Sequence, residues 1–332
     1  MSVPNPEFQP PPEPTAPPDP PKLRPKNMLV VGIVLFVLGL GICGAGVAKI
    51  MPGGIGTGAF VAFFGILLFA LSFVSLPQVA PDAPAPLGAL ERITGIFYEP
   101  TNVFKNLRAH PRWVAGVLVM AILNVTYVAA FTQRLTPDRI VNFTVDKMAE
   151  TPFIPPEAVE RARDEGLRDA KLPAARVGNA IKGLVGAFFA MFFVGALFLV
   201  ALLAFGGKIN YWQSVSVVTF ASLPAAVITK VVSFILLYIK SLDDIHPLMG
   251  QETLLQDNLG VLFAPKDHPV LFVLASAIGV LSFYRLWLTA KGLHEGGQKV
   301  SSSAAWGVTI TLWALLLLFG VAIASLFPAF IS

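Results

Sequence analysis

Seven stretches of this chain run almost without charge, and each is long enough as a helix of about twenty residues to cross a hydrocarbon core of about 30 Å. They fall at 28–48, 56–76, 113–131, 183–205, 212–239, 270–288 and 304–327. Lipid cannot satisfy backbone N–H and C=O groups, so these segments must be helical, each closing its own hydrogen bonds. Their apolar runs are continuous, which excludes the short alternating strands of an outer-membrane barrel. Hydrophobic residues make up 55% of the 332 and charged residues only 13%, against about 25% charged in an ordinary soluble domain. Too little polar surface is left to cover such a chain in water. The expected fold is all-α: a polytopic transmembrane helix bundle of about seven spans, two plus five.

The organisation follows from where the composition changes. Residues 1–27 hold 11 prolines and end in the basic cluster Lys22, Arg24 and Lys26, the pattern of a disordered cytoplasmic tail. No secretory-signal pattern precedes the first apolar run, which is therefore expected to remain as an anchor. Residues 28–76 form a two-helix hairpin turning at Met51 to Gly54, and 77–89 a linker rich in Pro and Ala. A five-span unit is expected over 90–330. Before the third span, 87–112 is too polar to cross, yet Leu90, Ile93, Ile96, Phe97, Val103, Phe104 and Leu107 recur at helical spacing. This is an amphipathic segment lying in the interface, divided in two at Pro100. An extramembrane loop at 132–182 carries one charged helix, expected over 155–171 with prolines at its start.

Charge sets the orientation. With the N-terminus in the cytoplasm, the tail and the inner loops hold eleven Lys or Arg, while the short outer loops hold Lys49 and Lys266. The positive-inside rule thus gives a cytoplasmic N-terminus and an outer C-terminus. The loop at 132–182 runs against it, with nine basic residues placed outside beside eight acidic ones. The net charge of +4 resides at the ends of apolar runs, which is a membrane pattern and speaks against nucleic acid as a partner.

Chemistry is sparse. His110, His246, His268 and His294 stand in separate loops without metal-ligand spacing, and the single Cys43 can form no intramolecular disulfide. No GxSxG, GxxxxGK[ST] or HExxH occurs, so no catalytic residue, cofactor or metal is expected. Charges inside a span are functional candidates by default, and Lys230 is the one found, with Asn124 as a second polar candidate. The run around Lys230 is longer than a membrane needs, so its ammonium can snorkel to the outer interface; pairing in the bundle and a transport role are the alternatives. Asn124 is expected to bond across helices. Pro224 in mid-span is expected to kink or break its helix. Arg285, Trp287, Lys291 and His294 gather at the inner end of the sixth span as candidate headgroup or partner contacts. Small-residue pairs at Gly41/Ala45, Gly54/Gly58, Gly58/Ala62 and Gly186/Ala190 suit close helix packing or a homo-oligomer.

A set of short motifs adds to this. Phe97-Tyr98-Glu99-Pro100-Thr101-Asn102-Val103-Phe104 before Pro111-Arg112-Trp113 resembles the opening of the Yip domain family of membrane proteins. Gly206-Gly207-Lys208, Thr219 to Pro224, and Tyr284-Arg285-Leu286-Trp287 before Gly292-Leu293-His294 follow in the family's order. The resemblance covers 90–330 and implies five spans, an N-terminal segment in the cytoplasm and a C-terminus outside. Eukaryotic members are associated with Rab-type GTPases, and Phe97 to Pro100 matches their Tyr-Gly-Pro element in part. The chain resembles the prokaryotic type, which implies a bacterial inner membrane. The expected function is a noncatalytic membrane-organising or partner- and lipid-binding protein, with Phe97, Tyr98, Glu99 and Pro100 among the contacts. The second expectation is a small-solute or ion transporter using Lys230, Asn124 and a break at Pro224.

Overall fold

Each apolar run becomes helix, as backbone hydrogen bonding in lipid requires. A computed structural model describes residues 24–51, 53–150 and 154–328. The proline-rich tail lies, up to residue 23, outside the described residues. The helices are α1 (Lys26–Val47), α2 (Gly54–Leu71), α3 (Ala89–Tyr98), α4 (Pro100–Ala109), α5 (Val114–Leu135), α6 (Pro137–Ala149) and α7 (Pro156–Lys171). They continue as α8 (Pro173–Ala204), α9 (Tyr211–Ile239), α10 (Met249–Glu252), α11 (Pro269–Ser276), α12 (Val280–Gly296) and α13 (Ser302–Leu326). Among the described residues six helices are long and apolar enough to span: α1, α2, α5, α8 from Ala175, α9 and α13.

The sixth of the expected spans is discontinuous. Where a single helix is expected over 270–288, α11 stops at Ser276 and α12 begins at Val280. The freed groups are met by an upstream loop: Leu259 N–H donates to the Ile278 carbonyl, and Val280 N–H to the Asp257 carbonyl. The Asp257 carboxylate accepts from Leu281 N–H at 2.9 Å, which caps α12. Pro224, by contrast, lies inside an unbroken α9. That helix is buried from Trp212 to Ala221 and again at Leu223, Pro224 and Ala225, so packing holds it continuous despite one lost hydrogen bond.

The N-terminal hairpin is a backbone contact. Gly32, Gly39 and Gly46 recur every seven residues on α1 and meet Gly65, Ala62 and Gly54 of α2. A Cβ on Gly32 would stand 2.7 Å from the Phe69 nitrogen, so only glycine permits this approach. Gly54, Gly58 and Ala62 lie in the α1–α2 contact, whereas a Cβ added at Gly41 or Gly186 would meet open space, so close approach does not require glycine at those two positions. One reason is register: the working stripe has a period of seven, and Gly41 lies off it. The hairpin joins the rest through α2, whose Phe64 and Leu68 pack with Trp113, Phe192 and Trp212.

α9 is the axis of the remainder. Its N-terminal half is packed by α5, α8, α12 and the short α3 and α4. Two buried polar side chains there reach carbonyls, Ser214 Oγ donating to Gly195 at 2.7 Å and Gln213 Nε2 to Arg108 at 2.6 Å, whereas the buried Thr219 hydroxyl has no partner among the described residues. Outside the bundle α6 and α7 pair, with Arg163 on Asp146 at 2.6 Å and Gly166 under Val141. The charged helix expected over 155–171 is α7. α6 was not expected, although Pro137, Asp138 and the spacing of Ile140, Val141, Thr144, Val145 and Met148 signal it. The span expected from residue 183 is the distal part of α8, which starts ten residues earlier at Pro173.

Candidate functional site at the interfacial helices

α3 and α4 owe their form to one proline and two sided patterns. Pro100 occupies the first position of α4, where its missing N–H costs nothing, and the turn at Glu99 separates the two helices. Glu91 accepts from Gly88 N–H at 2.7 Å and closes the start of α3. Ile96, Val103, Phe104 and Leu107 are fully buried against α9 and α12, and Gly292 and Gly296 of α12 leave room for Phe104 and Val217.

Polar contacts lock the linker and the neighbouring turn to this pair. Asn106 accepts from Leu87 N–H at 3.1 Å and donates to the Ala85 carbonyl at 2.8 Å. His110 Nε2 meets the Pro84 carbonyl at 2.8 Å, and Arg108 donates to the Gln298 carbonyl at 3.0 Å. The far side of the pair is open: Leu90 is 72% exposed and Tyr98 69%, with Phe97 and Glu99 exposed beside them and Pro100 half-buried. An amphipathic unit is thus pinned by one face and offers large apolar groups on the other.

Arg92 adds a feature that counting charges did not single out. Only 4% exposed, it donates from Nη1 to the Leu87 carbonyl at 2.5 Å while its Nε is buried without a partner. Burial, and then the neighbouring charge of Arg112, push its guanidinium below the usual arginine range, with Glu91 opposing. A cation among apolar residues on an amphipathic helix is the signal that marks it.

The four candidates on α12 do not form one cluster. Lys291 lies over the Trp287 ring at 5.2 Å, and Trp287 stacks on Tyr284 at 5.9 Å. His294 Nδ1 instead meets the Val300 carbonyl at 2.7 Å. Arg285 lies seven residues from Gly292 towards the break, about 10 Å deeper along the helix than the contact with α4.

The intramembrane candidates stand apart as well. Lys230 donates to the Glu252 carbonyl at 2.6 Å and lies over the Tyr127 ring at 4.7 Å, so it pairs within the bundle. Tyr127 donates to the Gly250 carbonyl, and Ser233 Oγ accepts from Leu254 N–H at 3.0 Å. Lys230 is thereby one of several tethers on a loop, 245–255, tucked into the end of the bundle opposite α3 and α4. Asn124 is half-buried and makes no side-chain hydrogen bond among the described residues, so the bond expected across helices is not formed. Among the described residues no group of three His, Cys, Asp or Glu side chains is placed to hold a metal ion.

Long apolar helices around a buried axis, with an amphipathic pair at one end, define a polytopic integral membrane protein. The chain belongs to the Yip1 domain family, whose profile matches residues 94–324. The match begins inside α3 and ends inside α13, leaving α1 and α2 outside it. No curated protein and no solved structure matches the chain. The Yip1 family is not a known enzyme family.

Proposed function

We propose that this is a noncatalytic protein that organises the membrane, using the exposed face of α3 and the α3–α4 turn as its working surface. The observation that carries this reading is the fixed projection of Leu90, Phe97 and Tyr98 away from a pair of helices locked to the bundle. Lipid is the first partner this surface suits, since large apolar and aromatic groups beside Lys105, Arg108 and Arg112 match the boundary between acyl chains and headgroups. A membrane or cytoplasmic protein docking on the same face is the second. Positive-inside counting supports a cytoplasmic N-terminus and an outer C-terminus, and the resemblance to prokaryotic members of the family supports residence in a bacterial inner membrane.

A fluorophore placed by Tyr98→Cys in a Cys43→Ser background tests this in phospholipid vesicles. Blue-shifted emission quenched by shallow nitroxide lipids is the expected result. Emission quenched only by aqueous iodide would remove lipid as the partner and leave the protein-docking reading. The topology is checked with single cysteines at Ala109 and Ala162 in the same background. Labelling of the Ala162 position alone from outside is expected.

A further inference from the structure

A crevice of about 430 Å³ opens where α3 meets the start of α5, lined by Arg92, Pro111, Arg112, Trp113, Val114 and Leu118. Two arginines line it, and among the described residues neither has a carboxylate within 4.0 Å. Arg92 is nine-tenths buried with its Nε unpartnered, an expensive arrangement for a cation unless a ligand completes it. Guanidinium donors arranged in a planar fork suit phosphate oxygens better than any other common anion except carboxylate. Burial first, and then the charge of Arg112, depress the proton affinity of Arg92, and an anion between the two guanidiniums offsets the second of these.

The rest of the crevice selects the kind of phosphate. Val114, Leu118 and Ile122 are exposed and spaced by four, so they form one apolar stripe climbing α5 from the crevice for about 12 Å. We propose that the crevice binds the phosphate of an anionic phospholipid between Arg92 and Arg112, with an acyl chain lying along Val114, Leu118 and Ile122. Charge complementarity and the apolar stripe together favour lipid over free phosphate. The site deepens the lipid-organising reading and rests on it for the level of α3 in the membrane.

Native mass spectrometry of the detergent-solubilised full chain tests it, titrating dioleoyl phosphatidylglycerol against dioleoyl phosphatidylcholine. One phosphatidylglycerol is expected to bind about tenfold more tightly than phosphatidylcholine. Arg112→Ala should abolish the preference while Lys266→Ala, at an exposed lysine in a loop remote from the crevice, keeps it. Arg112 is exposed, so this variant stays folded where Arg92→Gln, at a buried position, need not. Equal affinity for the two lipids, a preference surviving Arg112→Ala, or displacement by millimolar inorganic phosphate overturns the proposal; the last would mark a free-anion site. Loss of Tyr98 insertion in vesicles with lipid capture intact would sink the lipid-organising reading alone. Loss of capture with insertion intact would sink the crevice alone.

Discussion

The α1–α2 hairpin and the bundle around α9 solve the same packing problem by opposite means. In the hairpin, glycines every seven residues bring one backbone against another, and no Asp, Glu, His or Arg lies on either helix. Around α9 close approach is confined to single sites such as Gly195 against Val215, and large side chains fill the rest: Trp212 stacks on Trp113 at 6.2 Å, and Phe192 meets Trp113 at 4.8 Å. Lipid supplies no hydrophobic drive between helices, so contact area and matched polar groups must hold them together. The first solution tolerates no added atoms. The second tolerates no lost ones.

That contrast can be broken most forcefully at Trp212, which is 1% exposed at the junction of both regions. Trp212→Ala is expected to cost about 3–5 kcal/mol and to loosen α2 together with α9, read as thermal unfolding of the purified protein. Next comes the hairpin's own rule. Gly39→Leu forces a side chain into the Ala62 backbone and is expected to cost about 3 kcal/mol, whereas Gly41→Leu faces open space and should stay within about 0.5 kcal/mol. Equal effects from the two would show that close backbone approach is not what holds α1.

Two smaller effects sharpen the side-chain half of the comparison. Lys230→Met removes the tether to the Glu252 carbonyl and the contact with Tyr127, for an expected loss of about 1 kcal/mol. Faster hydrogen exchange confined to 245–255 is the measurement. The mildest expected change is in pH response. His246 Nδ1 accepts from Leu248 and Met249 N–H at 3.2 Å, and burial, then the charge of Lys147, push its pKa below 6.5. The unfolded chain therefore takes up this proton first. Its contribution to stability is complete above about pH 6.5 and declines as pH falls through that value towards the folded one. Thermal unfolding at pH 8 and pH 5.5 should show a difference that His246→Asn reduces.

How much of this was legible in the sequence depended on whether a feature is local. The spans were legible because hydropathy accumulates over neighbouring residues, and the α3–α4 pair because apolar spacing and Pro100 lie within one short segment. The break in the sixth crossing was not, since Ala277, Ile278 and Gly279 are apolar and carry no stop signal of the usual strength. What breaks that helix is Asp257, remote in sequence, which offers Leu281 an acceptor that a continuous helix would make unnecessary. Pro224 misled in the other direction, because a local breaker was outweighed by burial on nearly every side. Among the candidate residues, Phe97, Tyr98, Glu99 and Pro100 were reached through a short motif, and only the fold shows which of them are exposed. The pairing of Arg92 with Arg112 depends on how α3 meets α5, and no spacing rule encodes that.

The capped break also bears on how the chain is made. Asp257 leaves the ribosome 24 residues ahead of Leu281, the residue whose N–H it receives. α11, with eight residues, is far shorter than a stable inserted helix. The acceptor for the second half is thus already synthesised when that half emerges, and the loop serves as a template laid down in advance of the crossing it completes.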